Sequence, residues 1–206
     1  LNAYRFNRPI VLHGKTGVGK TLVLNGLSNV LDLEGLADHR GSLFGGVGKH
    51  PVSQKTFETK LLQALESLDP ENPVFIEGES RKVGNVSIPD AIFRQMKSAT
   101  NYLLEASIET RVARTVKEYI TDQPGLEPEI RAIIQQLKSD LGRKQIDELL
   151  DLFDSKDYAS CFEAILLNYY DKKYSHSLKK LSFSATISTD DIEIACKKIT
   201  SHAKGL

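Results

Sequence analysis

The stretch Gly14-Lys15-Thr16-Gly17-Val18-Gly19-Lys20-Thr21 decides the fold of this chain. It matches the phosphate-loop pattern G-x-x-x-x-G-K-[ST] at every fixed position. An apolar run at residues 9–13 precedes it as a predicted strand, and residues 22–27 follow it as a predicted helix. We therefore predict that residues 14–21 bind the phosphate groups of a ligand, because glycines let backbone N–H groups turn inward around an anion.

Two side chains of this loop have distinct expected roles. Lys20 should reach a terminal phosphate, while Thr21 should ligate a Mg²⁺ ion. The other loop residues should contact phosphates through their backbone N–H groups. A glycine-rich turn that binds nothing is the alternative, but the strand, the loop, the Lys-Thr pair and the helix all agree with a phosphate site.

The composition is that of an ordinary globular protein. The 206 residues are 40% apolar and 26% charged, and the formal net charge is zero, which suits one domain with a sizeable core. No apolar run is long enough to cross a bilayer, so we expect no membrane partner. Cys161 and Cys196 lie outside any C-x-x-C spacing, which favours core packing in a reducing compartment, the cytoplasm, over a zinc or disulfide site. Because the chain begins with Leu1 rather than Met, we expect a longer parent protein.

Strands and helices alternate after the loop, which predicts a parallel α/β sheet. The expected fold is a P-loop NTPase-like three-layer α/β fold with a mainly parallel sheet and a helical C-terminal segment. We expect one domain over residues 1–206, with an α/β core at 1–106, a mainly helical segment at 107–175, and a last strand and helix at 176–206. The predicted strands after the loop lie at 29–34, 74–77, 102–106 and 181–185.

Polar side chains follow the second predicted strand, where open α/β sheets keep their ligand crevice. The glycine-rich stretch 35–48 is expected to lack regular structure, and it carries His39, Arg40 and Ser42. These three side chains are suited to donate hydrogen bonds to an anion. A surface loop without a ligand is the alternative.

The strand at 74–77 ends in an acid. Phosphate-loop proteins place a second, Mg²⁺-organising acid after such an apolar strand, so we predict Glu77 in that role, directly or through water, with Glu79 as the competitor. Either carboxylate is also a candidate general base, and the simplest alternative is that Glu77 ends a strand at the surface. Arg81 and Lys82 are expected to face the same crevice as phosphate clamps, with Arg81 among the catalytic candidates.

Two arginines and three tyrosines leave alternatives open. Arg111 and Arg114 share one face of a predicted helix, where they either contact phosphates or form a solvated surface. Tyr169, Tyr170 and Tyr174 lie among lysines. Stacking on exposed bases competes there with packing, which is the more common role of tyrosines near a helix end.

Three stretches together resemble the tRNA 2-selenouridine synthase family, in its C-terminal half. They are GKTGVGKT at 14–21, LDLEGLADHRGSLFG at 31–45, and IEGESRKVG at 76–84 followed by Ile88-Pro89. Many proteins share the phosphate loop, whereas 31–45 is the specific stretch. The resemblance extends over the whole chain and is weaker after residue 106.

The resemblance implies a transferase that acts on the wobble uridine of a tRNA anticodon arm. By this resemblance, geranyl diphosphate supplies a geranyl group to 2-thiouridine, and selenophosphate supplies the selenium that then replaces the sulfur. The family's rhodanese-like domain, with its reactive cysteine, has no counterpart in this sequence, so we expect it elsewhere in the parent chain. A diphosphate held by Lys20, Thr21 and Mg²⁺ is a good leaving group.

Two other functions fit the same residues. A nucleotide or small-molecule kinase or NTPase would bind ATP or GTP at the loop and turn it over. A nucleotide-gated tRNA-binding module would bind tRNA tightly without turnover of any diphosphate or triphosphate. The neutral net charge argues mildly against strong general binding of nucleic acid, which needs clustered Lys and Arg.

Overall fold

Five parallel strands form the central sheet. The computed structural model describes residues 1 and 3–205. The strands are β1 Pro9–Gly14, β2 Val30–Leu31, β3 Val74–Glu77, β4 Lys82–Val83, β5 Val86–Ser87, β6 Thr100–Glu105 and β7 Ala185–Ser188. The sheet order is β2-β3-β1-β6-β7, and β4 and β5 form a separate antiparallel hairpin. The predicted α/β fold with a mainly parallel sheet is therefore confirmed.

Helices cover the sheet and form the C-terminal segment. They are α1 Lys20–Asn25, α2 Leu33–Ala37, α3 Gln54–Ser67, α4 Asp90–Lys97, α5 Ile108–Val116, α6 Glu127–Gln136, α7 Lys138–Leu141, α8 Arg143–Asp154, α9 Tyr158–Ile165, α10 Asp171–Leu178 and α11 Ile192–Lys204. Short π-helical turns, Lys117–Thr121 and Leu166–Tyr170, follow α5 and α9. Among the described helices, none is long and apolar enough to cross a bilayer.

The register of the sheet brings the ends of its strands together. Leu12 of β1 lies opposite Glu77 of β3 on one side and Tyr102 of β6 on the other. Because all five strands are parallel, their carboxyl ends share one edge of the sheet. The acid that ends β3 is therefore held beside the loop that follows β1.

Alternating residues of β1 supply two separate cores. Ile10 and Leu12 pack in one buried cluster with α1 and α11, and Val11 packs in another with α3 and α4. This is the period of two that a strand imposes on its side chains. A third buried cluster lies among the C-terminal helices and includes Phe44, which comes from the stretch between α2 and α3.

Two strand predictions were wrong in their extent. The second strand ends at Leu31, because Asp32 Oδ1 accepts a hydrogen bond from Gly35 N at 2.8 Å and starts α2 in a stretch expected to be strand and then loop. The last strand is Ala185–Ser188 rather than 181–185. Burial alternates continuously over 181–189, so the sequence pattern alone does not show which part pairs with β6.

The tyrosine pair and both cysteines lie in the core. Tyr169 and Tyr170 are buried in the helical cluster, so packing explains them and base stacking does not. Tyr174 is partly buried and stacks on Tyr170 at a centroid distance of 6.2 Å. Cys161 and Cys196 are buried free thiols, as predicted.

A buried ion pair attaches the helical segment to the sheet. Arg111 of α5 donates two hydrogen bonds to Asp171 of α10, at 3.0 and 2.6 Å, and a third to the backbone oxygen of Thr16 at 2.9 Å. The Arg111 side chain is only 5% exposed. Lys15 also reaches Asp171, at 2.9 Å. One carboxylate thus connects α10, α5 and the phosphate loop.

We predict that Asp171→Asn lowers the free energy of unfolding by about 3 kcal/mol, because it leaves the buried Arg111 charge without its partner. Burial alone would raise the pKa of Asp171, but hydrogen bonds from Arg111 and Lys15 bring it below its ordinary value. The contribution is therefore complete above the pKa of an unfolded Asp, about 4, and is lost as the pH falls through the lower folded value. Urea denaturation of both proteins across this pH range measures it.

Asp154→Asn is the matched control. Asp154 also accepts two hydrogen bonds from one arginine, Arg131, but both side chains are largely exposed. The control should lose much less stability, since exposed ion pairs contribute little. Equal losses in the two variants would contradict the assignment of Arg111–Asp171 as the attachment.

Candidate phosphate-binding site

The phosphate loop joins β1 to α1, as the motif predicts. Gly17 and Gly19 have φ angles of +81° and +85°, a region that favours glycine. A Cβ atom at Gly17 would lie 3.0 Å from the backbone oxygen of Arg111, and one at Gly19 would lie 2.9 Å from the Arg114 guanidinium. These two positions need glycine both for backbone conformation and for close packing against α5.

Three side chains from outside the loop hold its backbone in place. Arg111 donates to Thr16 O, as described above, and Arg114 donates to Val18 O at 2.8 Å and to Thr189 O at 2.5 Å. The Thr189 hydroxyl also donates to Val18 O, at 2.6 Å. Arg111 and Arg114 are thus neither a solvated helix face nor free phosphate ligands. They fix the carbonyl groups of the loop, which leaves its N–H groups available to an anion.

Both loop lysines contact carboxylates. Lys15 pairs with Asp171, and Lys20 Nζ lies 3.6 Å from Glu77 Oε1. Burial alone would lower the pKa of Lys20, but Glu77, with Glu34 and Glu79, raises it above its ordinary value. Lys20 is therefore a fully charged group placed at the carboxyl edge of the sheet.

Three glutamates meet around Lys20. Glu77 ends β3, Glu79 follows two residues later, and Glu34 lies in the first turn of α2. One carboxylate oxygen from each lies within 4.8 Å of the other two. Burial, followed by mutual repulsion in the cases of Glu34 and Glu77, raises the pKa of these carboxyls, while Lys20 opposes the rise. The arrangement favours a bound cation or a shared proton.

Glycine is required between two of these acids. A Cβ atom at Gly78 would lie 2.6 Å from His13 Nδ1 and 2.8 Å from the backbone oxygen of Leu12. Real Cβ atoms do not approach a backbone oxygen so closely. The spacing Glu-Gly-Glu therefore lets the chain pass close to β1 while both carboxylates turn to Lys20.

The predicted anion donors of the glycine-rich stretch have different surroundings. His39 Nδ1 accepts a hydrogen bond from Gly41 N at 3.1 Å, and burial, followed by the charge of Arg40, lowers the pKa of its imidazole. Arg40 pairs with Glu118 at 2.5 Å, donates to Val47 O and lies over the ring of Tyr119. The Ser42 hydroxyl oxygen is buried beside the tyrosines of the helical core. Arg40 thus attaches this stretch to the helical segment, whereas the buried Ser42 hydroxyl has no hydrogen-bond partner among the described residues.

The predicted clamps lie on the hairpin at the surface. Arg81 pairs with Asp90, and both side chains are 61% exposed. Lys82, the first residue of β4, is also exposed. The described contacts do not bring either residue to Lys20, and their roles as phosphate clamps stay predictions.

Sequence reasoning missed Glu34, Asp171 and Thr189. A signal for Glu34 was present, because Asp32-Leu33-Glu34 follows β2 as Glu77-Gly78-Glu79 ends β3, with two acids at the same spacing at the ends of neighbouring strands. Asp171 and Thr189 contact the loop from more than 150 residues away in sequence. No local pattern marks such contacts.

A broad cavity opens on the other flank of the loop. Its volume is about 520 Å³, and it lies at the carboxyl ends of β6 and β7. Its apolar lining includes Leu103, Leu104, Ala106 and Leu178, and Lys15, Arg111 and Lys179 are among its charged residues. In the sheet order, β3 with its acids lies on one side of β1 and this cavity on the other.

Comparison with known proteins places the chain in a family. The family model described as the tRNA 2-selenouridine synthase AAA domain matches residues 7–204. Similar proteins named tRNA 2-selenouridine synthase come from Hydrogenovibrio crunogenus, with 34% identity over 82% of this chain and 52% of the relative, and from Nitrosomonas europaea, with 37% identity over 76% and 42%. A third, from Shewanella pealeana, has 30% identity over 87% of this chain and 56% of the relative.

Among solved structures, a shikimate kinase from Bacteroides thetaiotaomicron is similar over 95% of this chain and 98% of its own, with a TM-score of 0.43 and 16% identity. The chain spans about half the length of the curated relatives it matches. On the match of the family model to almost the whole chain, this protein belongs to the tRNA 2-selenouridine synthase family, as its phosphate-loop portion.

Proposed function

We propose that this chain is the phosphate-loop part of a tRNA-modifying transferase that binds geranyl diphosphate. In this proposal the enzyme converts wobble 2-thiouridine to 2-selenouridine through a geranylated thiouridine. The single observation that carries the proposal is a phosphate loop with a cavity for an organic group on one flank and carboxylates on the other. Family membership supports tRNA modification as the overall reaction.

The loop and Lys20 are suited to hold a diphosphate. The backbone N–H groups of the loop and the Lys20 ammonium supply hydrogen-bond donors and positive charge for the phosphate oxygens. Thr21 and Glu77 are the residues proposed to hold Mg²⁺, and Glu77 fits this role because its Oε2 atom is buried without a hydrogen-bond partner among the described residues. When bound, Mg²⁺ would neutralise charge on the leaving diphosphate.

The cavity supports a prenyl rather than a purely ionic ligand. At about 520 Å³ it is within the range of small-molecule pockets. Leucine and alanine side chains at the ends of β6 and in α10 offer apolar contacts to a ten-carbon chain. Lys15 lies in the same lining, so the ligand can extend from the loop directly into the cavity.

The proposed step is a substitution at the first carbon of the geranyl group. The thiouridine sulfur forms a bond to this carbon, the carbon–oxygen bond to diphosphate breaks, and the electron pair leaves with the diphosphate. The thiouracil ring then gives up its N3 proton to the diphosphate or to water, which leaves a neutral S-geranyl thiouridine. Lys20 and the loop stabilise the negative charge that the departing diphosphate gains. No ATP or GTP is hydrolysed in this step. The phosphate loop therefore serves a transferase that does not use a nucleoside triphosphate.

Selenium chemistry is assigned to the rest of the parent chain. Burial, with the nearby Asp157 carboxylate, raises the pKa of Cys161 to about 12, and burial also raises that of Cys196. Such thiols are poor nucleophiles at neutral pH. We propose that a rhodanese-like domain of the same parent supplies the reactive cysteine, and that selenophosphate is the selenium donor.

The anticodon arm of tRNA is the proposed partner. Four lysines, Lys172, Lys173, Lys179 and Lys180, are exposed along α10 and just after it, and Lys179 also lines the cavity. Lysines at this position are suited to contact RNA phosphates while the target base approaches the cavity. Because the net charge of this chain is zero, we propose that the rest of the parent protein supplies most of the non-specific affinity for tRNA.

Lys20→Ala should abolish geranyl transfer to thiouridine-containing tRNA. We expect the affinity for geranyl diphosphate with Mg²⁺ to fall by about 100-fold, because the variant removes the charged donor beside the phosphates. Calorimetry with geranyl diphosphate and with ATP, together with a single-turnover transfer assay, measures both effects. Lys60→Ala, on the exposed side of α3, is the control.

The two ligands separate the competing functions. Transfer at the wild-type rate in Lys20→Ala would rule the proposal out. Binding of ATP, with turnover and without binding of geranyl diphosphate, would instead support a kinase or NTPase. Tight binding of tRNA without turnover of either ligand would support a nucleotide-gated binding module.

Leu178→Ser should weaken the binding of geranyl diphosphate more than the binding of inorganic diphosphate. Removing apolar lining from the cavity costs about 1–2 kcal/mol of contact with the hydrocarbon, or roughly tenfold in affinity, and leaves the loop intact. Calorimetric titration of both ligands gives the ratio. An equal loss for the two would show that the hydrocarbon does not occupy this cavity.

A further inference from the structure

Three carboxylates converge on a site that the sequence motif does not describe. The phosphate-loop motif assigns a cation to Thr21 and one strand-end acid. In the structure, oxygens of Glu34, Glu77 and Glu79 lie within 4.8 Å of one another. These residues come from the ends of two neighbouring strands, so the sheet itself holds them together.

When its three carboxyls are all ionised, the charges of this cluster do not balance within the protein. Three ionised carboxylates carry three negative charges, and Lys20, which lies nearest to Glu77, supplies one positive charge. Asp32 also lies near enough to act on these carboxylates. An excess of at least two negative charges in a mostly buried place is costly, and one divalent cation matches it.

Glu77, a member of this cluster, carries an orphaned oxygen, and this observation is independent of the charge count. Glu77 is 1% exposed, and its Oε2 atom is buried with no hydrogen-bond partner among the described residues. Buried carboxylate oxygens normally accept hydrogen bonds, because an oxygen without a partner loses its hydration and gains nothing in return. Carboxylate oxygens are also the ligands that Mg²⁺ and Mn²⁺ prefer.

The turn at Gly41 approaches the cluster closely with a residue that has no side chain. Gly41 has a φ angle of +53°, and a Cβ atom there would lie 2.5 Å from both Glu34 Oε1 and Glu79 Oε2. The two oxygens therefore face the same backbone atom, which approaches them without a side chain. Any other residue at 41 would push these carboxylates apart.

We propose that Glu34, Glu77 and Glu79 form a divalent-cation site that fills before any phosphorylated ligand binds and does not need Thr21. The site goes beyond the Thr21–Glu77 arrangement proposed above, because two of its three ligands lie outside that arrangement. Its occupant is a hard cation, Mg²⁺ or Mn²⁺, held by oxygen atoms. Lys20, no longer needed to balance Glu77, is then released to a phosphate.

Mn²⁺ binding to the wild-type protein without any phosphate or tRNA tests the site. Titration followed by the electron paramagnetic resonance of free Mn²⁺ gives the dissociation constant. We expect Glu34→Gln and Glu79→Gln each to weaken binding by roughly tenfold or more. Glu66→Gln, on an exposed part of α3, is the control and should leave it unchanged. Thr21→Val distinguishes this site from the Thr21–Glu77 arrangement, because Mn²⁺ binding without phosphate persists in this variant only if the three glutamates form the site.

Gly41→Ala keeps every charge and is the second variant. It should weaken Mn²⁺ binding by displacing two ligand oxygens, and a melting curve shows whether each variant is folded. The absence of Mn²⁺ binding in the wild-type protein, or binding that survives both Gln variants, overturns the proposal in favour of a shared proton. Loss of binding in Thr21→Val alone would restore the motif's own arrangement. Because no geranyl diphosphate is present, failure of the transferase proposal leaves this test unaffected.

Discussion

The guanidinium of Arg111 is the contact on which the rest of the structure depends. It is almost fully buried, and it joins the backbone of the phosphate loop to a carboxylate of the helical segment. A buried arginine needs both partners, since desolvation of its charge is costly unless its donors are satisfied. One side chain therefore connects the loop, α10 and the wall of the cavity, while Arg114 and Thr189 hold the loop at Val18 O.

The positive charges of the loop are balanced by the protein. Lys15 contacts Asp171, and Lys20 contacts Glu77. An arriving phosphate must therefore compete with carboxylates already in place, and its affinity depends on the difference between the two interactions. A cation among the glutamates weakens the hold of Glu77 on Lys20 and so favours the contact of Lys20 with phosphate. On the other side, Arg111 continues to donate hydrogen bonds to Asp171 if Lys15 leaves. The two lysines thus differ in how readily each is released.

The sequence was sufficient to predict the fold, the phosphate loop and the strand that ends in Glu77, but not the contacts that surround them. The motif located the loop, and the apolar strand ending in Glu77 was confirmed because burial on both faces leaves a continuous apolar run. Glu34 was missed because residues 29–34 appeared to continue a strand, and only the cap made by Asp32 converts them to a helix that turns Glu34 inward. Arg111 and Arg114 could not be assigned, because they hold the loop through backbone oxygens that any sequence provides, and the carboxylate partner of Arg111, Asp171, lies 60 residues away.

The two flanks of the loop divide the chemistry of the proposed reaction. With β1 in the middle of the sheet, the cavity lies toward β6 and β7, and the glutamates lie toward β3 and β2. If the organic group of a diphosphate occupies the cavity, the bond that breaks lies on the Lys15 side. The acids are then placed to balance charge at the far phosphate rather than to remove a proton from the acceptor. This geometry argues against Glu77 or Glu79 as the base that takes the N3 proton, which the thiouracil ring gives up once its sulfur is alkylated.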